Sequence, residues 1–135
     1  MIKDLIVLTN VYIVSIAKIG KQALYEKLNG KYLKEAEELM RKRDYVQASE
    51  KFWGAAAEII KAVAAKRGEN IGTHKGVGRF ILKLHNEHPV WHLLDLYAAA
   101  ETLHVNFYED NVPEELVKIR AEKVKDLVDK LKVLL

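Results

Sequence analysis

The chain contains no cysteine, which excludes disulfide bridges, thiolate metal sites and cysteine nucleophiles. Its two prolines and seven glycines are too few for long coil linkers or for the many turns of a β-sandwich. The net charge of +3 is too small to mark the whole chain as a nucleic-acid binder. What is present is typical of a single globular domain over residues 1–135, with 50% hydrophobic and 30% charged residues.

A largely apolar run extends from Leu5 to Ala17 near the start of the chain. It resembles the hydrophobic core of a secretory signal, but Asp4 precedes it and Asn10 interrupts it. The run is also too short to span a bilayer. We therefore expect an extra, buried N-terminal helix over residues 1–29, a cytoplasmic location and no association with membranes.

The segment from Asp44 to Gly68 carries the clearest helix signals. Asp44 is a favourable N-cap with Gln47 three residues later, and Gly68 is favourable just after a helix C-terminus. Two apolar stripes run between these ends, one formed by Tyr45, Ala48, Phe52, Ala56, Ile59 and Val63, the other by Val46, Trp53, Ala57, Ile60 and Ala64. A helix that is apolar on two sides packs on more than one neighbour, so we expect it at the centre of the fold.

Further helices are indicated by the spacing of apolar residues and by their end signals. They cover residues 31–43, 74–87 and 90–107, and a last helix begins at Pro113. Asn29-Gly30 leaves open whether the first two helical segments form one helix or two. No segment alternates like a β-strand. The predicted fold class is all-α, an up-and-down helical bundle of five to six helices, with residues 31–134 as the core bundle.

Charged residues are distributed unevenly. Six basic residues and one acid lie between Lys61 and His85, whereas residues 84–117 contain seven acids and no lysine or arginine. Lys75, Arg79 and Lys83 are spaced four apart and therefore share one face of their helix. Such a face can bind the phosphates of RNA or of a nucleotide, and the candidate binding residues are Lys75, Arg79, Lys83, Arg67 and His74. The alternative is that this face pairs with the acidic fourth helix or with an acidic surface of a second subunit.

A second group of polar side chains lies on the fourth helix. Tyr97, Glu101, His104 and Tyr108 are spaced to share one face, where Glu101 is placed to orient His104 for proton transfer. The alternative is a histidine and a tyrosine that are hydrogen-bonded within the core. The candidate surface for a ligand or partner consists of His104, Asn106, Tyr108 and Glu109.

Three histidines, His85, His88 and His92, follow one another closely. Pro89 lies within this run and disrupts the single helical face that a zinc site requires. The sequence also lacks a phosphate-binding glycine loop and a dinucleotide-binding fingerprint. We therefore expect no metal and no cofactor.

In the order of its motifs, the chain resembles the HEPN domain, and most closely the archaeal PaREP-type HEPN-like proteins. The resemblance covers about Tyr32 to Leu131. It rests on Asp44-Tyr45-Val46-Gln47-Ala48-Ser49-Glu50-Lys51 leading into Trp53-Gly54-Ala55-Ala56-Ala57 and Ile60-Lys61-Ala62, on Thr73-His74, and on Leu103-His104-Val105-Asn106-Phe107-Tyr108-Glu109 before a last helix led by proline. It implies an up-and-down bundle that commonly forms homodimers. It also implies a setting of RNA cleavage, nucleotide binding, or toxin–antitoxin pairing with a nucleotidyltransferase.

Ribonucleases of the HEPN class carry an Arg-x4–6-His motif near the last core helix, at the dimer cleft. This chain has no arginine between Phe80 and Ile119, so His104 lacks such a partner, although Arg79-x5-His85 and Arg67-x6-His74 match the spacing earlier in the chain. Three hypotheses follow. The first is an accessory homodimer that binds RNA, a nucleotide or a partner protein. The second is a metal-independent endoribonuclease that uses an Arg/His pair, and the third is a purely structural dimer. The candidate catalytic residues are Arg79, His85, His104 and Glu101.

Overall fold

The protein is an all-α bundle, as its sequence predicts. The computed structural model describes the backbone of residues 2–135, and side chains throughout that range except at residues 2–8, 11–16 and 18. The helices are α1 (Ile2–Arg41), α2 (Tyr45–Lys66), α3 (His74–Glu87), α4 (Leu93–Glu109) and α5 (Glu114–Lys132), with a 3₁₀ turn at Pro89–Trp91. Within this range the backbone forms no strand. No helix of this part of the chain is both long enough and apolar enough to traverse a membrane.

Helix α1 runs without a break through Asn29-Gly30, which settles the alternative that the sequence leaves open. Asn29 is buried and its Nδ2 donates to the carbonyl oxygen of Ala55 on α2, at 2.7 Å. Gly30 is exposed, and a glycine inside a helix costs only about 1 kcal/mol relative to alanine. Tertiary contacts with α2 therefore outweigh the local tendency to break. The expected burial of the apolar run from Leu5 to Ala17 concerns side chains that lie largely outside the described residues.

Helix α2 is the central helix, and it contacts each of the other four α-helices. Its start is capped by Asp44, whose Oδ1 accepts from the backbone N–H of Gln47 at 3.2 Å. Its end is closed by Gly68 at φ 76°, where the N–H groups of Gly68 and Glu69 donate to the carbonyls of Ala65 and Ala64. Both predicted boundaries are confirmed. The largest fully buried side chains of the core include Phe52, Ile59, Ile60, Ile81, Leu93, Leu103 and Leu127.

Helix α4 begins at Leu93, three residues later than the spacing predicts. His92 adopts a left-handed backbone conformation at φ 57°, which ends the 3₁₀ turn and redirects the chain before α4. The carbonyl oxygen of Trp91 in this turn accepts from Nζ of Lys130 on α5 at 3.1 Å. Pro113 immediately precedes α5, where a backbone N–H has no partner within the helix, so the absence of an N–H on proline costs no helical hydrogen bond.

Candidate functional site

An aromatic stack joins the three helices α2, α3 and α4. His74 of α3 and His104 of α4 both stack on Trp53 of α2, with ring centroids 4.7 and 4.9 Å from that of Trp53 and planes inclined by 30° and 28°. The two imidazole centroids are 5.5 Å apart. Trp53 is only 8% exposed, so it forms the floor on which both imidazoles rest. We call these three residues the histidine–tryptophan cluster.

Each imidazole of the cluster is bonded to a carboxylate. His104 Nδ1 lies 2.9 Å from Oε2 of Glu50 on α2, and His74 Nε2 lies 3.2 Å from Oε2 of Glu101 on α4. The predicted pairing of Glu101 with His104 is wrong, because the His104 ring turns toward Glu50 on α2. In the described structure His74 Nδ1 and His104 Nε2 make no hydrogen bond, so each ring keeps one nitrogen for a ligand.

Two tyrosines of α4 border the cluster. Tyr97 is 5% exposed, its ring lies 5.9 Å from that of Trp53, and its hydroxyl has no hydrogen-bond partner among the residues described. Burial, with a smaller contribution from the charge of Glu101, strongly raises the pKa of Tyr97, so this hydroxyl keeps its proton. Tyr108 is 72% exposed and meets His104 edge-on at 5.4 Å. The cluster is therefore closed on its inner side and bordered by an accessible aromatic ring on its outer side.

Glu50 is a site residue that sequence analysis missed. It lies on the stripe of α2 that also carries Val46, Trp53 and Ala57, at spacings of four, three and four residues. A carboxylate within an apolar stripe needs a partner when it is packed against neighbouring helices. That signal was available in the sequence, whereas the identity of the partner depends on how α4 packs on α2.

The cationic face of α3, formed by Lys75, Arg79 and Lys83, is only partly neutralised. Lys83 Nζ pairs with Glu69 at 3.2 Å, whereas Lys75 and Arg79 form no ion pair with any residue that the structure describes. The neutralising acid comes from the loop before α3 and not from α4, contrary to the expected pairing with the fourth helix, whereas pairing with a second subunit stays a prediction. An open groove of about 490 Å³ between this loop and α3 is lined by Arg79 and Lys83.

The two Arg/His pairs at ribonuclease spacing do not converge within one chain. Arg67 binds Glu87 through two contacts of 2.8 Å, and this hydrogen-bonded pair lowers the pKa of Glu87. Because Glu87 and His74 are at opposite ends of α3, about 20 Å apart along the axis, Arg67 is far from His74. Arg79 and His85 lie six residues apart on α3, on different faces.

The predicted partner surface on α4 divides into two parts. Asn106 is buried at 1% exposure, donates from Nδ2 to Ser49 Oγ at 3.0 Å and accepts at Oδ1 from the N–H of Val112 at 2.8 Å. Asn106 therefore belongs to the interior and not to the surface, because both ends of its amide are bonded within the chain. Glu109 is exposed beside the accessible Tyr108 and accepts a hydrogen bond from Asn111 at 3.1 Å.

The closely spaced histidines have separate environments. His85 is half-buried with an unpartnered Nδ1, His88 stacks on Trp91 at 4.0 Å, and His92 is the residue just before α4. Within the described part of the chain, no three side chains of His, Asp or Glu are grouped as metal ligands.

Comparison with known proteins places the chain in a family. The chain matches no curated protein at a significant level. A solved crystal structure of a protein from Sulfolobus solfataricus shares 29% sequence identity and a TM-score of 0.72, over 79% of this chain and 95% of that one. The model of the archaeal PaREP1/PaREP8 family matches residues 24–128, and this range holds the entire histidine–tryptophan cluster and the cationic face. The chain therefore belongs to the archaeal PaREP1/PaREP8 family.

Proposed function

We propose that the protein is an RNA-binding accessory module whose main contact surface is the cationic face of α3. The observation that carries this proposal is that Lys75 and Arg79 are exposed and lack an acidic partner among the described residues, while Lys83 has one. Exposed cations that are not neutralised attract phosphates and release counterions on binding. On this face of α3, the charges of Lys75 and Arg79 are therefore available to a polyanion.

The layout favours a nucleic-acid strand over a single nucleotide. Lys75 and Lys83 are separated by about 12 Å along α3, which is long enough for contacts with successive phosphates. The exposed rings of His74 and Tyr108 lie at the cluster, and such rings stack on bases of single strands. Cations with nearby accessible aromatic rings are the combination that single-stranded RNA recognition uses.

Fluorescence polarisation with a labelled single-stranded RNA at low and rising salt tests the proposal. The double variant Lys75→Gln/Arg79→Gln is expected to bind roughly tenfold more weakly and to reduce the log–log salt slope by about 1.4, because two phosphate contacts are lost. The matched control Lys34→Gln/Arg41→Gln removes the same charge from exposed positions of α1 and is expected to bind within about twofold of the parent. Absence of binding at low salt, or equal losses in both variants, contradicts the proposal.

We also propose that the protein is a homodimer, formed through the outer faces of α4 and α5. The apolar side chains exposed on these helices include Leu94, Val105, Leu116 and Ile119. A groove of about 310 Å³ between the helices is lined by Asp95 from α4 and by Arg120 and Lys123 from α5. A two-fold pairing of this face sets acids of one copy against cations of the other.

Sedimentation velocity at micromolar concentration tests the dimer. We expect a species of about twice the 15.4 kDa chain mass, and we expect Ile119→Lys to convert it to monomer, because Ile119 is 53% exposed on the pairing face. Observation of monomer alone for the parent protein contradicts the dimer. The toxin–antitoxin setting and the nucleotidyltransferase partner that the HEPN resemblance implies stay predictions.

A further inference from the structure

We infer that a groove between α1 and α2 binds a small aliphatic diamine, with one ammonium group held by Glu58 and the other by Glu50. The groove encloses about 280 Å³. Small-molecule sites begin at roughly 300 Å³, so a ligand of this groove is small. Two carboxylates, two aromatic rings and two small residues contribute to its lining: Glu50, Glu58, Tyr32, Trp53, Gly54 and Ala57. This site lies outside the cationic face of α3, and the inference goes beyond the proposed RNA binding.

Glu58 forms one acidic end of the groove, and its carboxylate lacks donors. The side chain is only 12% exposed, and Oε2 is fully buried with no partner among the described residues. Its Oε1 has a long contact of 3.5 Å with Nζ of Lys61. A carboxylate that is largely withdrawn from water is costly unless donors surround it. The terminal torsion of glutamate is soft, so a small rotation presents the unpartnered oxygen to an ammonium group in the groove.

Glu50 forms the other acidic end. Its Oε2 lies 2.9 Å from Nδ1 of His104, whereas its Oε1 makes no hydrogen bond in the described structure. Glu50 and Glu58 are eight residues apart on α2, which corresponds to about 12 Å along the helix axis. A ligand that satisfies both carboxylates therefore carries a donor cation at each of its two ends.

The middle of the groove is apolar. Trp53, Gly54 and Ala57 lie between the two carboxylates along α2, and Tyr32 of α1 lies against Gly54. A Cβ at position 54 would be 3.0 Å from Cδ2 of Tyr32, so glycine permits this ring to approach α2 closely. Methylene groups are stabilised by burial against such rings, and the faces of Tyr and Trp also attract ammonium ions. An acid at each end and an apolar middle match a short alkyl chain with two ammonium ends.

The charges around the groove favour a cation over an anion. Lys51 also lines the groove, and its Nζ is bound by Glu35 of α1 at 2.7 Å. Lys61 lines it too, and in the described structure its carboxylate contact is the long one with Glu58. Glu50 contacts no lysine among the described residues, so carboxylates outnumber ammonium groups by one. The groove therefore attracts a cation, and Lys61 is the internal group that competes with it for Glu58.

Isothermal titration calorimetry of the purified full chain, without RNA, tests the site with three probes of similar length. Cadaverine carries an ammonium group at each end, pentylamine at one end only, and δ-aminovalerate carries one ammonium and one carboxylate. We expect cadaverine to bind once per chain and the other two to bind at least about tenfold more weakly, because each lacks the charge pair with Glu50. Absence of saturable cadaverine binding at millimolar concentration overturns the inference, and so does tighter binding of δ-aminovalerate.

Two variants at the Glu58 end are expected to shift the affinity in opposite directions. Glu58→Gln keeps the shape and removes the charge, and should weaken cadaverine binding at least about tenfold. Lys61→Met removes the internal competitor and keeps an apolar stem, and should tighten cadaverine binding at least about threefold. A gain in affinity does not arise from a loss of fold. Weaker cadaverine binding by a folded Lys61→Met chain contradicts the inference.

Glu50→Gln separates the two ends of the groove. It should weaken cadaverine binding about tenfold and change pentylamine binding by less than about twofold, because the monoamine uses Glu58 alone. Glu38→Gln is the matched control, since it removes one carboxylate from an exposed position of α1 outside the groove, and it should bind within about twofold of the parent. Equal losses in Glu58→Gln and Glu38→Gln indicate a general attraction of cations and contradict the site. If circular dichroism shows that Glu58→Gln has lost its fold, the sign of the change in Lys61→Met decides.

Discussion

Replacing Asn106 with alanine is expected to destabilise the bundle by about 2–4 kcal/mol. The side chain is buried and joins two parts of the fold: its Nδ2 donates to Ser49 Oγ on α2, and its Oδ1 accepts from the N–H of Val112 in the loop before α5. Alanine removes both bonds and leaves the partly buried Val112 N–H without its acceptor.

The magnitude follows from these two bonds. Each contributes about 0.5–1.5 kcal/mol net, and the orphaned N–H of Val112, which is only partly buried, adds a desolvation cost of about 1 kcal/mol. For a domain of this size the melting temperature falls by about 3–5 °C per kcal/mol, so thermal denaturation followed by circular dichroism should show a decrease of about 6–20 °C. Urea unfolding gives the free energy independently.

Asn111→Ala is the matched control, because Asn111 is exposed and its bond to Glu109 at 3.1 Å is accessible to water. It should change the stability by less than about 0.5 kcal/mol. A double-mutant cycle of Asn106→Ala with Ser49→Ala should give a coupling energy of about 1 kcal/mol. If the two asparagine variants are equally stable, the buried bridge between α2 and the α4–α5 loop is not formed.

Three further predictions concern backbone conformation, a buried hydroxyl and an acidic side chain. Gly30→Ala should stabilise the protein by about 0.5–1 kcal/mol, because Gly30 lies inside a helix and the added Cβ meets open space. Gly68→Ala should destabilise it by about 1 kcal/mol, because the φ of 76° at Gly68 is left-handed. If urea unfolding shows both variants shifted in the same direction, this reasoning is refuted. Tyr97→Phe should leave the free energy of unfolding unchanged or raise it slightly, because the buried hydroxyl has no described partner, and a loss of more than about 1 kcal/mol reveals a bond to it. The hydrogen bond from Tyr45 lowers the pKa of Glu114 below its ordinary 4.5. The charged carboxylate therefore stabilises the fold above pH 4.5, and this stabilisation is lost as the pH falls through the lowered pKa. Glu114→Gln should therefore melt lower than the parent at pH 7 by a difference that closes below pH 4.5, and a difference constant with pH argues against a charged carboxylate as the acceptor of the Tyr45 hydrogen bond.

The helix ends encoded by local signals were predictable from the sequence. Asp44 and Gly68 act through a hydrogen bond or a backbone angle within a few residues, and the structure places both as expected. The start of α4 was not predictable, because nothing in the local sequence indicates that His92 adopts a left-handed backbone conformation. The turn before it is held in part by Lys130, which is about forty residues away in sequence.

The sequence predicts which side chains of the candidate site share a helix face, but not which side chain each of them contacts on another helix. Spacing alone placed Glu101 and His104 on one side of α4. Which carboxylate reaches which imidazole depends on the packing of α2, α3 and α4, and this is why Glu101 was matched to the wrong histidine and Glu50 was missed. Similarly, the spacing of Lys75, Arg79 and Lys83 predicted a shared face, but the neutralisation of Lys83 by Glu69 depends on the conformation of the preceding loop.

The position of Trp53 also gives the molecule an internal optical reporter. The chain has two tryptophans, and each stacks on histidine: Trp53 on His74 and His104, and Trp91 on His88. Because both imidazoles stack on Trp53, its fluorescence is expected to respond when either ring is displaced. A Trp91→Phe chain would isolate that signal, and light alone could then follow in real time the arrival of a ligand at the place where α2, α3 and α4 meet.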